Sequence, residues 1–227
     1  MSEFLTGSAF FSIFLTIAAF SLGLFLHRKF KSPLFNPILI GALLVMTALT
    51  VLHIPNSAYQ EAVRPLSFLM TPATICLALS FYEQLMKLKK HLAMICIGVT
   101  VGTISSMGSI LVMAKLFGLE QQLLASLLPK SVTTAIGVAL CEEAGGIPAV
   151  TTAAIISTGI LGNMTGPALC RLFHFRHPVA QGVAFGTASH VIGTARAQEL
   201  DPVTGAVSTL SLTLAGLLTA ICYSLIL

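Results

Sequence analysis

From Phe4 to Leu26 the chain carries no ionisable side chain, and apolar segments recur over 33–52, 66–82, 91–117, 147–170, 178–195 and 206–227. About 20 apolar residues are what a helix needs to cross the roughly 30 Å hydrocarbon core of a bilayer. No water satisfies backbone amides there, so only helices and closed barrels can cross. Segments of this length predict an all-α polytopic membrane protein with about seven spanning helices. Composition agrees, with 56% of the 227 residues hydrophobic and 9% charged, where a soluble domain has about 25% charged. The polar gaps are too short to fold alone, so residues 1–227 read as a single integral membrane domain.

The net charge of +4 resides in short loops beside apolar segments. That pattern orients helices in a membrane and does not suggest a nucleic-acid partner. The N-terminal segment has no basic leader, and its apolar run is too long for a signal-peptide core, so it reads as a retained first helix. Basic loops at 27–31, 83–91 and 171–177 are expected on the cytoplasmic side. Alternation then leaves 117–122 outside and requires 147–170 to run inward. Region 119–145 must therefore enter and leave by one face, as a re-entrant or broken segment. Pro129, Gly137, Gly145 and Gly146 suit broken helix ends. Such backbone is tolerated at membrane depth only inside protein or beside a watery cavity.

A shift of about 115 residues lays PLFNPILIGALL (33–44) on PAVTTAAIISTG (148–159), and TPATICLALSFYEQL (71–85) on TASHVIGTARAQEL (187–200). The identities are few, and chance in so biased a composition is the competing explanation. If the repeat is genuine, halves 1–117 and 118–227 are inverted copies, as in many secondary transporters with discontinuous helices. TPAT would then be an unwound segment; a simple proline kink at Pro72 serves equally well.

Two polar stretches stand out, PKSVTTAIGVALCEEAGG (129–146) and GTASHVIGTARAQE (186–199). A Lys or Arg at a helix centre costs roughly 2.5–3.5 kcal/mol to insert, so ionisable groups at that depth point to function. Lys130 and Ser131 follow Pro129 and precede a helical run, with Thr133 and Thr134 on the next turn. A cation and hydroxyls at a helix N-terminus suit a carboxylate. The alternative is that Lys130 snorkels to a headgroup while the hydroxyls bond back to the helix. Glu142 and Glu143 precede two glycines, which reads as an aqueous turn, with Glu142 a proton-coupling candidate as the other reading. On a continuous helix, Ser189, Gly193 and Arg196 share one face, with His190 and Thr194 beside it. Arg196 offers a fork for a carboxylate, His190 can donate a hydrogen bond or carry a proton, and Thr187 adds a hydroxyl. Packing through small residues, with Arg196 paired to Glu199 or Asp201 at the boundary, is the competing reading.

Five scattered cysteines and six histidines form no metal or redox spacing, so no cofactor is expected. No nucleophile–base pair has a recognisable spacing either, so the chain does not read as an enzyme.

PKSVTTAI, GGIPAVT, GILGNMTGP and above all ASHVIGTARAQE resemble signatures of the LrgB/CidB family of bacterial inner-membrane proteins, over the whole chain and most densely from about 129 to 216. The chain departs from the family pattern at Ala135, where many members have proline, and in the acidic CEEAGG. The resemblance implies a multi-pass inner-membrane location and two distinct functions. Family members are described as holin- or antiholin-like modulators of murein hydrolase export and lysis, acting with a small LrgA/CidA-type membrane partner. Relatives, including a domain of the plastidial glycolate/glycerate translocator, are implicated in moving small monocarboxylates. The residues themselves favour transport, since cationic and hydroxyl groups at broken helices fit a two- or three-carbon carboxylate, and the resemblance implies pyruvate-, glycolate- or glycerate-like acids, with homo-oligomerisation left open. Lys130, Ser131, Thr133, Thr134, Thr187, Ser189, His190, Gly193, Thr194 and Arg196 would form the site, and His190 or Glu142 would couple protons.

Overall fold

A computed structural model describes residues 9–30, 35, 37–69, 72, 75–76, 82 and 89–227. Among them the regular elements are all helical. Most of the third apolar segment lies outside the described residues, including Thr71 of TPAT, which the repeat matches with Thr187; so does Glu83, which it matches with Glu199. The chain divides into two compact units, Met1–Cys76 and Leu77–Leu227.

The first unit contains α1 (Ala9–Phe30), α2 (Pro37–Val51) and the short helices α3 (Asn56–Ala62) and α4 (Arg64–Ser67). Helices α1 and α2 pack together. Thr16 of α1 donates to the Ser12 carbonyl, so the Tyr59 hydroxyl of α3 is the donor in its 2.7 Å bond to Thr16.

The second unit is built on three long apolar helices, α5 (Leu92–Phe117), α8 (Pro148–Leu172) and α10 (Pro202–Ile226). Together with α1 these are the four described helices long and apolar enough to cross a membrane. At 1.5 Å per residue each of the three is about 37–39 Å long. His91 and His177 lie edge to face at 5.6 Å, so the start of α5 and the loop after α8 share one end of the unit. The basic residues of loop 171–177 mark this as the basic end.

Between α5 and α8 run α6 (Gln121–Leu127) and α7 (Thr134–Glu143), about 10 and 15 Å long and too short to cross. Ser126 of α6 is tied to the start of α8 at the opposite end. Its hydroxyl accepts from Ile147 N at 2.7 Å, and its carbonyl accepts from Thr151 at 2.8 Å. The turn joining α6 to α7 reaches Ser106, about 21 Å along α5 from Leu92 and about 16 Å from Phe117. Residues 121–143 thus dip to mid-depth and return, as the loop charges require.

The apolar segment 178–195 does not span, contrary to its length. Helix α9 (Pro178–Leu200) is broken at His190 (φ 42°, ψ −138°), and its two arms fold back on each other. The neighbours establish the reversal. On the first arm Gly182 abuts Thr204 and Val207, and Gly186 abuts Ser208 and Ser211. On the second arm Thr194 reaches back to Ser208, and Gln198 to Gly205. The chain therefore advances along α10 as far as His190 and then retreats. Arm one also tracks α5, with Val183 at Gly98 and Thr187 at Gly102, and tracks α8 from Gly166 to Gly159. Asp201 then starts α10 at the basic end, capping Val203 N and Thr204 N at 2.8 and 3.0 Å with Pro202 at the first helical position.

The unit therefore holds two helical hairpins that enter from opposite ends and turn at mid-depth. Lipid supplies no hydrophobic drive between helices, so close approach and hydrogen bonds must hold them. A Cβ at Gly182 would lie 2.6 Å from Val207 Cβ and 2.7 Å from the Thr204 carbonyl. Only glycine admits the first arm this closely. The buried side chains Ile95, Val99, Val179, Ala206, Val207 and Ala215 fill the space between α5, that arm and α10.

Candidate functional site

The two tips meet around a cavity of about 490 Å³. The first hairpin contributes Lys130 and Ser131, and the second contributes Thr187 and Ser189. Helix α5 adds Ser105, Ser106 and Ser109, and α8 adds Thr158. Sequence reasoning missed the α5 serines. Their signal is present, because Gly98, Gly102, Ser105 and Ser109 fall at i, i+4, i+7 and i+11, a small and polar face on an otherwise apolar helix.

Lys130 is half-buried. Its Nζ donates to Ser106 Oγ at 3.3 Å and to Ser131 Oγ at 3.2 Å, while the two serine hydroxyls are 2.9 Å apart. A lysine ammonium has three N–H donors and each hydroxyl has one. Two ammonium protons go to the serines, and one serine proton goes to the other serine. One N–H and one O–H remain, matching the two oxygens of a carboxylate. Among the described residues no acidic side chain pairs with Lys130. Thr187 Oγ1 is buried without a hydrogen-bond partner among them and sits on the cavity wall. Helix α7 begins three residues after Ser131, so its amino-terminal partial positive charge lies in the same tip.

The other residues singled out in the sequence lie apart from the cavity wall. The His190 ring is buried against α8. Because a carbonyl only accepts, its Nε2 carries the proton in the 2.9 Å bond to Ile155 O. Thr194 donates to the His190 carbonyl at 2.8 Å and shares a 2.8 Å bond with Ser208. Asn163 of α8 donates to Ile192 O at 3.0 Å. Gly193 packs on Ser189 and Phe185. Together these groups hold the reversed turn. Thr133 caps α7 without a side-chain hydrogen bond, Thr134 is exposed, and Glu142 is exposed near the carboxyl end of α7. Arg196 pairs with Glu199 at 2.6 Å. The expected shared face of Ser189, Gly193 and Arg196 does not exist, because the reversal at His190 puts Ser189 on one arm and Gly193 and Arg196 on the other.

Opposed hairpins meeting over a polar cavity inside an apolar bundle mark this as a multi-pass helical membrane protein. The chain belongs to the LrgB-like family, whose pattern covers residues 16–227. It is 31% identical over 221 residues to the holin-like protein CidB of Staphylococcus epidermidis, covering 97% of this chain and 96% of that protein. It is 33% identical over 217 residues to the antiholin-like protein LrgB of Bacillus mycoides and of Bacillus cereus, covering 95% of this chain and 94% of those proteins. No solved structure matches it.

Proposed function

We propose that this protein carries small monocarboxylates of the hydroxy- and keto-acid class, such as pyruvate, glycolate and glycerate, across the membrane. The observation that supports this reading is Lys130. An ammonium at mid-depth with no acidic partner among the described residues is costly. An anion offsets that cost, and the uncommitted N–H and O–H of the Lys130–Ser106–Ser131 cluster fit its carboxylate. Opposed hairpins suit a carrier, since each tip walls the same site from one side. Thr187 and Ser189 would bind the keto or hydroxyl oxygen. His190, next to Ser189 in the chain, would couple binding to a proton. No covalent step is involved.

A second reading is favoured by the relatives' names, which support it more than they support transport. In it the protein is an antiholin- or holin-like modulator of murein hydrolase export and lysis, acting with a small LrgA/CidA-type membrane partner. Two measurements separate the readings. Purified protein in liposomes is tested for uptake of labelled pyruvate, glycolate and glycerate under an imposed proton gradient. The lysis phenotype of cells is scored with and without the small partner. Uptake above that of empty liposomes supports the carrier. No uptake of any acid, with lysis control that requires the partner, overturns it in favour of the second reading.

A further inference from the structure

A second cavity of about 250 Å³ lies beside the polar one, between the carboxyl half of α8 and the first arm of α9. Leu169, Cys170, Phe173, Phe175 and Phe185 line it, and Ser189 is its one hydroxyl-bearing wall residue. The two cavities share Gly162, Ala184, Ala188 and Ser189. No bulky side chain stands at that junction, and Ser189 Oγ lies directly against Gly162. From the junction the apolar cavity extends along α8 towards Phe175 and the basic end.

We propose that the apolar cavity holds the hydrocarbon tail of the carboxylate whose head Lys130 binds, so that the preferred substrates are keto or hydroxy acids with a branched or aromatic side chain. The proposal rests on the carrier reading and names its substrate class. The sizes support it. By volume this cleft, open on the side of the exposed Leu169, Phe173 and Phe175, accommodates a branched aliphatic chain or a phenyl ring. The polar cavity alone has the volume of about sixteen waters, at roughly 30 Å³ each, far more than the six heavy atoms of pyruvate require. The chemistry divides at Ser189, with the ammonium and hydroxyls on one side and three phenylalanines, a leucine and a cysteine on the other. A molecule with a carboxylate head and an apolar tail satisfies both sides at once. A lipid chain alone would leave Lys130 without its anion.

The test measures uptake of labelled pyruvate and labelled 4-methyl-2-oxopentanoate side by side in proteoliposomes. Each methylene buried is worth about a fourfold gain in affinity. The longer acid is expected to half-saturate uptake at a concentration at least tenfold lower than pyruvate. Leu169 lines only the apolar cavity, and Leu169→Trp, which narrows it, should bring the two acids within about threefold of each other, the expected loss of tail burial. Equal or weaker handling of the longer acid, with pyruvate still transported, overturns the proposal and leaves the carrier reading intact. Uptake of neither acid overturns both. A preference for the longer acid that Leu169→Trp does not change marks the cavity as lipid-filled and also overturns the proposal.

Discussion

His190 sits at φ 42° and ψ −138°, a backbone conformation that L-residues rarely adopt. Such a residue costs about 1–3 kcal/mol and persists only where its surroundings impose it. Here four groups impose it: its own ring on Ile155 O, Asn163 on Ile192 O, Thr194 on its carbonyl, and Ser208 on Thr194. Alanine at this position keeps the strain and loses the ring hydrogen bond, whereas glycine loses the bond but relieves the strain. Thermal unfolding of purified protein in detergent should therefore rank wild type above His190→Gly, and His190→Gly above His190→Ala. A His190→Ala protein as stable as wild type would mean that the turn is not held in this way. The turn was not legible in the sequence, because GTASHVIGTARAQE has no proline and, apart from the local Thr194 bond, the partners stand 14 to 35 residues away. The same stretch did disclose the ion pair of Arg196 with Glu199 as the competing reading, since i, i+3 spacing is local.

The re-entrant hairpins depend on close helix contact more than on apolar burial. At Gly186 a Cβ would stand 2.8 Å from Ser211 Cβ and 3.0 Å from Leu212 N, with the Ser208 carbonyl nearer still. Backbone cannot yield as a flexible side chain can, so Gly186→Ala should push the first arm off α10 at a cost of about 1–3 kcal/mol. Gly108 of α5 has nothing within 4 Å of the corresponding Cβ position. Gly108→Ala should be neutral or stabilising by up to about 1 kcal/mol through helix propensity. Unfolding temperatures of the two variants in the same detergent compare them directly. Equal effects would contradict the packing described. The first hairpin was legible from three basic loops and the glycines of 137–146, because orientation rules are local to loops. The second was not, since its 18-residue apolar segment has the length of a spanning helix and only tertiary hydrogen bonds reverse it.

Among the described residues of the Leu77–Leu227 unit, three spanning helices frame two hairpins whose tips carry Lys130–Ser131 and Thr187–Ser189 to one cavity. The two polar stretches identified from sequence do meet there, through those four side chains. The serines of α5, which complete the lysine cluster, escaped notice because a lone serine in an apolar helix usually bonds back to its own backbone. Ser106 instead faces Lys130 and Ser131. Losing a hydrogen bond to a charged group costs about 1.5–3 kcal/mol, equivalent to roughly ten- to 150-fold in affinity. The most direct measurement is labelled-pyruvate uptake into proteoliposomes by wild type, Lys130→Arg and Lys130→Gln, each confirmed as folded by its unfolding temperature. The expected result is that Lys130→Gln raises the half-saturating concentration at least tenfold, while Lys130→Arg, which keeps the charge, retains part of the activity. Uptake by Lys130→Gln indistinguishable from wild type would show that the cavity does not bind its anion through Lys130.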